Sequence, residues 1–249
     1  MSEIRMLTAG EQGLVLEFGD SIDESVNIRV HQTARLLRQK LAGDLIEVVP
    51  TYRSLMIYFN PLRIRREEII GRIRSLLTEG GDVAAPSGDA RVVRIPVCYG
   101  GEFGPDLPFV AQHNRLTEDE VIQIHTATPY LVYMLGFTPG FPYLGGMSER
   151  IAAPRLEQPR TSIPAGSVGI AGSQTGFYPI ASPGGWRLIG RTPIRAFNPQ
   201  SEQAFLFDAG DYLQFVAVSA SEYERVRQQS DAGTYQPETC RLAKGGAPS

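Results

Sequence analysis

The feature that most limits the fold is a run of 71 residues, Pro129 to Pro199, holding ten of the chain's 18 prolines and 11 of its 26 glycines. Proline removes a backbone donor and fixes φ, and glycine is costly to order, so long helices are excluded here. The same run carries Tyr130, Tyr133, Phe137, Phe141, Tyr143, Val168, Ile170, Tyr178, Trp186 and Ile189. That apolar content can build a core, which a disordered stretch rich in proline and glycine lacks. Short strands broken by turns predict a closed or partly closed β-barrel.

The first ~85 residues follow a different pattern. Leu14, Leu16 and Phe18 alternate as in a half-buried strand. Ser21 with Glu24 matches a capping box, predicting a helix with Ile22, Val26, Val30, Ala34, Leu37 and Leu41 on one face. Strands are expected at Ile46–Val49 and Leu55–Phe59, then a helix through Ile69, Ile70, Ile73, Leu76 and Leu77 that stops at Gly80-Gly81. Asp82–Ala90, small and polar with Pro86, is the expected linker.

A second unit opens with a strand at Val92–Val97 and a turn-rich segment from Cys98 to Leu107. Thr117 and Glu120 form another capping box, with Leu116 and Val121 spaced as a hydrophobic staple, on a helix ending near His125. A strand at Tyr212–Val218 and a polar helix from Ser221 to about Gln229 follow, and the last ~20 residues read as poorly ordered. The fold class expected is α+β: a small α/β sandwich over residues 1–85, a β-barrel domain over 86–220, and a C-terminal helix and tail over 221–249.

Composition narrows the function. A net charge of −3 with no basic stripe argues against nucleic acid. No apolar run approaches the ~18–20 residues that span a bilayer, and the N-terminus lacks a secretory apolar region, so a cytoplasmic protein is expected. Cys98 and Cys240 are too isolated for a disulfide framework, and the three histidines show no metal-ligand spacing, so no metal is expected. The two lysines, Lys40 and Lys244, lie outside any P-loop context, and neither GSVG (Gly166 to Gly169) nor GSQTG (Gly172 to Gly176) has nucleophile-elbow spacing.

Two stretches hold the candidate chemistry. In the first, Gly136-Phe137-Thr138-Pro139-Gly140-Phe141 puts aromatics on turns that glycine and proline fix. His125, at a helix C-terminus that favours imidazolium, reads as an acid/base group, an anion contact or a structural histidine. In the second, Gln174, Thr175 and Ser182 offer donors and acceptors for a small amide. Gly184-Gly185 could form a backbone nest for an oxyanion, and Arg160 and Arg187 could clamp a carboxylate. Asp106 and the Glu118-Asp119-Glu120 cluster could suggest acid/base work, but acids at a helix start usually complement the helix dipole. No complete catalytic set is visible.

The strings YGGEFGPDL, GFTPGFPYLGG, IPAGSVGIAG, QTGFYP and SPGGWRLIGRTP resemble the KipI family, which includes the B subunits of 5-oxoprolinases, formerly labelled allophanate hydrolase subunit 1. The resemblance implies a cyclophilin-like C-terminal barrel and work alongside a KipA-type C subunit and an A subunit. It also implies ATP-dependent conversion of 5-oxo-L-proline to L-glutamate, with ATP bound by this chain or by a partner and no activity by this chain alone. Carried onto this sequence, it implies catalytic roles for His125, Gln174 and Thr175. It implies substrate contacts by Tyr130, Pro139, Gly140, Phe141, Arg155, Arg160, Tyr178, Ser182, Gly184, Trp186 and Arg187. Two rival roles come with the family: an antikinase that inhibits a sensor histidine kinase, and allophanate- or urea-related amide chemistry.

Overall fold

The computed structural model describes residues 4–79, 90–201 and 203–242. The alternation of Leu14 and Leu16 becomes the buried face of strand β2 (Gly13–Glu17). Beside it lie β1 (Arg5–Ala9), β4 (Ser54–Phe59) and β3 (Leu45–Pro50), in the antiparallel order β1-β2-β4-β3. Helix α1 (Glu24–Lys40) contributes Val30, Ala34 and Leu37 to a core shared with Leu55, Ile57 and Phe59 of β4 and with Ile69 and Ile73 of α2 (Arg66–Glu79). Each of these side chains larger than alanine gains roughly 1.5–3 kcal/mol by leaving water. These elements belong to a compact unit spanning residues 1–88.

The start of α1 differs from the expectation. Asp23, not Ser21, is the N-cap: its carboxylate accepts from the Ser25 and Val26 backbone N–H groups at 2.9 and 3.3 Å. A carboxylate accepts several donors and complements the positive helix end, so it outcompetes the serine pattern. Ile22 then falls outside the helix and is exposed. The expected stop at Gly80-Gly81, and the linker apart from Ala90, lie outside the described residues.

The second unit, residues 89–249, is built around one large sheet. Its strands run β10 (Gln174–Phe177), β9 (Ser167–Ala171), β12 (Arg187–Arg191), β5 (Arg91–Tyr99), β13 (Tyr212–Ala217), β6 (Tyr130–Leu135) and β7 (Pro142–Gly145). Only the β5–β13 pair within this order is parallel. The end strands β7 and β10 come back side by side, so the sheet is nearly closed like a barrel. A two-stranded ribbon, β8 (Arg160–Ile163) with β11 (Ser182–Gly184), lies apart from the large sheet.

Helix α4 (Glu118–Thr126) carries the expected capping box, with Thr117 N–H donating to Glu120 at 2.7 Å and Glu120 N–H donating to Thr117 Oγ1 at 3.2 Å. Helix α3 (Leu107–Asn114) was not expected, because it follows directly on the segment read as turn-rich, and Pro108 sits in its first turn. Proline is tolerated in a first helical turn, where its missing N–H is not needed. Helix α5 (Ala220–Asp231) is N-capped by Ser219. Part of the supposedly loose C-terminus is tied down: strand β14 (Thr239–Arg241) pairs with β5. Residues 243–249 lie outside the described residues.

Candidate functional site

The prolines and glycines between β6 and β12 gather an aromatic cleft on the second unit. Phe141 is its hub. It meets Phe137, Tyr178 and Trp186 edge-on at 5.6, 5.5 and 5.7 Å and tilts against Tyr143 at 5.2 Å. Such pairs add roughly 0.5–1.5 kcal/mol each beyond area burial, so the wall is stiff before any ligand arrives. The cleft has a volume of about 370 Å³ and is also lined by Arg155, Pro159, Pro183, Gly184 and Gly185. Its size and apolar walls suit a small organic ligand.

Two glycines make this geometry possible. Gly140 has φ +81°, in the left-handed region, with Phe197 and Ala196 packed where a side chain would begin. At Gly184 a Cβ would fall on the Tyr178 hydroxyl and lie 2.8 Å from Ile163 Cδ1. Burial holds the Tyr178 phenol above its ordinary pKa, while a backbone N–H bond from Trp186 and the charges of Arg155 and Arg160 act in the opposite sense. Phe137 adopts φ +64°, costly for a bulky residue, and its ring is 64% exposed at the rim. Strain of this kind persists where surrounding structure enforces it, often at binding sites.

Five expected residues line the cleft together: Phe141, Arg155, Tyr178, Gly184 and Trp186. The others lie elsewhere. Pro139 is exposed on the loop that carries Phe141. Ser182 precedes the lining residue Pro183, and its Oγ is enclosed without a protein hydrogen-bond partner. Gln174 is half-buried at the start of β10, opposite Ala171.

His125, Thr175 and Tyr130 form a separate internal cluster. Thr175 Oγ1 donates to the Gly169 carbonyl at 3.1 Å, so its 2.7 Å contact with His125 Nε2 requires the imidazole to donate there. Nδ1 then accepts from the Tyr99 hydroxyl at 2.7 Å. The ring stacks on Phe215 at 4.6 Å, and the Tyr130 hydroxyl donates to the His125 carbonyl. Complete burial drives the His125 pKa down to about 3. The imidazole is therefore neutral at physiological pH, and the helix-dipole argument for imidazolium is overruled by desolvation.

The two arginines expected as carboxylate clamps are engaged elsewhere. Arg160 pairs with Asp106 at 2.9 Å, and the other Asp106 oxygen accepts the Leu188 backbone N–H at 2.7 Å. Asp106 thus ties β8 to β12 and gives its own helix no side-chain cap. Arg187 donates to the Pro154 carbonyl at 3.1 Å and stacks on the Phe109 ring at 3.6 Å. Nor is there a nest at Gly184-Gly185. Neither glycine has positive φ, Gly184 pairs with Arg160 in the ribbon, and the Gly185 carbonyl accepts from Leu156 N–H.

Tyr143, Pro159 and Pro183 also line the cleft without having been singled out, and so do Phe137 and Gly185, which the two candidate stretches contained but to which no substrate contact was assigned. Tyr143 and Pro183 lay inside the motifs, and the clustering of ring side chains there was the usable signal. A triphosphate does not fit these walls, since they hold one arginine, no lysine and no nest.

A family model described as "Carboxyltransferase domain, subdomain C and D" matches residues 4–207. The chain belongs to that family. Among members of known name, it is 46% identical to the 5-oxoprolinase B subunit of Bacillus subtilis (strain 168), over 89% of this chain and 96% of that protein. The B subunit from Escherichia coli O157:H7 is 37% identical, with 87% of this chain and 97% of the relative covered. Among solved structures, TTHA0988 is 37% identical with a TM-score of 0.73; the match covers 84% of this chain and 40% of that longer one. The uncharacterized protein PH0987 from Pyrococcus horikoshii is 47% identical with a TM-score of 0.52, covering 88% of this chain and all of that one. No described helix of this family member is long and apolar enough to cross a membrane.

Proposed function

We propose that this chain is the B subunit of an ATP-dependent 5-oxoprolinase, which opens 5-oxo-L-proline to L-glutamate at the expense of ATP. The observation that carries the proposal is the 46% identity to the Bacillus subtilis protein across 96% of its length. The residue chemistry agrees with it. A small planar lactam suits a stiff aromatic cleft of about 370 Å³, and a cationic side chain at the wall suits its carboxylate.

In this reading the second unit is a cyclophilin-like barrel domain, the first unit is a domain of its own, and the protein works in the cytoplasm. The cleft holds the lactam. The phosphate contacts come from partners, a KipA-type C subunit and an A subunit, because the cleft residues do not fit a triphosphate. The chain alone is then inactive, since opening an unstrained lactam needs activation of its carbonyl oxygen.

The test is reconstitution. The chain co-purified with its A and C partners should release glutamate from 5-oxoproline only when ATP is present, and each component on its own should release none. Glutamate release by the purified chain alone, or an intact complex that turns over urea or allophanate in place of 5-oxoproline, would refute it.

A further inference from the structure

The geometry points to Arg155 as the residue that anchors the carboxylate of the ligand in the aromatic cleft, a specificity role that neither Arg160 nor Arg187 can fill. The inference rests on the reading of the cleft as a lactam site.

Three observations carry it. First, among the described residues Arg155 is the only charged one lining the cleft. A carboxylate entering there meets one positive charge and no negative one. Second, Arg155 is exposed, and no ion pair engages it among the described residues. Its guanidinium can turn to a bidentate carboxylate without first breaking a protein bond. Third, the competing cations are already occupied. Releasing Arg160 would leave the largely buried Asp106 carboxylate unpaired, a heavy cost for a group held beside the Leu188 N–H. Turning Arg187 inward would forfeit its stacking on Phe109 and its bond to the Pro154 carbonyl.

The same layout explains the cleft's size limit. With the carboxylate held at Arg155, a flat ring lies against Phe141 and Trp186, and the bare backbone at Gly184 leaves Tyr178 in place at the wall. The Tyr178 hydroxyl stands in the same wall, where it can donate to a carbonyl. The ligand class selected is a small cyclic amide bearing an adjacent carboxylate.

The experiment uses the assembled complex with Arg155→Met and Arg155→Lys. Loss of a charge-assisted pair should raise the KM for 5-oxoproline on the order of 10- to 100-fold in Arg155→Met. The kcat should change less than about threefold, and Arg155→Lys should fall between Arg155→Met and wild type, because it keeps the charge but loses the fork. A KM for Arg155→Met within about twofold of wild type would overturn the inference, as would equal impairment of both variants. A wild-type complex that does not turn over 5-oxoproline would instead sink the lactam reading, and the inference with it.

Discussion

His125 is the group whose titration the fold most constrains. With its pKa near 3 in the folded state and near 6.5 when unfolded, the unfolded chain takes up a proton first as pH falls. Its contribution to stability is therefore fully present above pH 6.5 and is lost progressively below it. Each pH unit between those values costs about 1.4 kcal/mol, so moving from pH 7.5 to pH 5 removes about 2 kcal/mol. His125→Gln lacks this linkage. It should be less stable than wild type at pH 7.5, because the contacts to Tyr99 and Thr175 are disturbed, but the gap should narrow by about 2 kcal/mol at pH 5. Urea unfolding of both proteins at both pH values measures this directly. Trp186 is the single tryptophan of the chain and lies in the barrel unit, so its fluorescence isolates the relevant transition. A gap that stays constant would refute the reasoning and place a protonated or wetted imidazole in the fold.

Other expectations concern the cleft and its supports. Gly184→Ala should force Tyr178 and Ile163 apart, costing about 1–3 kcal/mol in urea unfolding and raising the KM of the complex more than about tenfold; unchanged turnover would show that the cleft wall is not where substrate sits. Asp106→Asn should destabilise the barrel by about 1–3 kcal/mol, because Arg160 loses its counter-charge; equal stability would mean the pair is replaced by solvent. Phe137→Gly should relieve left-handed strain and raise stability by about 1 kcal/mol while weakening substrate binding; a loss of stability would mean that the exposed ring contributes more to packing than its backbone costs.

Much of the architecture was legible in the sequence, because local chemistry set it. Proline and glycine density with interleaved aromatics specified short strands, and the Thr117–Glu120 capping box marked its helix. Where two local signals competed, the expectation did not hold: Asp23 took the cap from Ser21, and α3 began at Leu107, directly after a segment whose glycines and Pro105 point to turns. The site was legible as a neighbourhood but less so by role. The fates of His125, Arg160 and Arg187 depend on partners 50, 54 and 33 residues away, namely Thr175, Asp106 and Pro154. Nothing in the motifs encodes those distances. The missing nest has the same origin, since strand pairing set the backbone at Gly184.

The measurement closest to the core of the account is the ¹⁹F resonance of 5-fluorotryptophan at position 186, followed in the assembled complex as 5-oxoproline is added. With the lactam held against that indole, the line should move saturably, with a midpoint matching the KM for glutamate release. A resonance that stays still while the complex turns over substrate would place the ligand elsewhere.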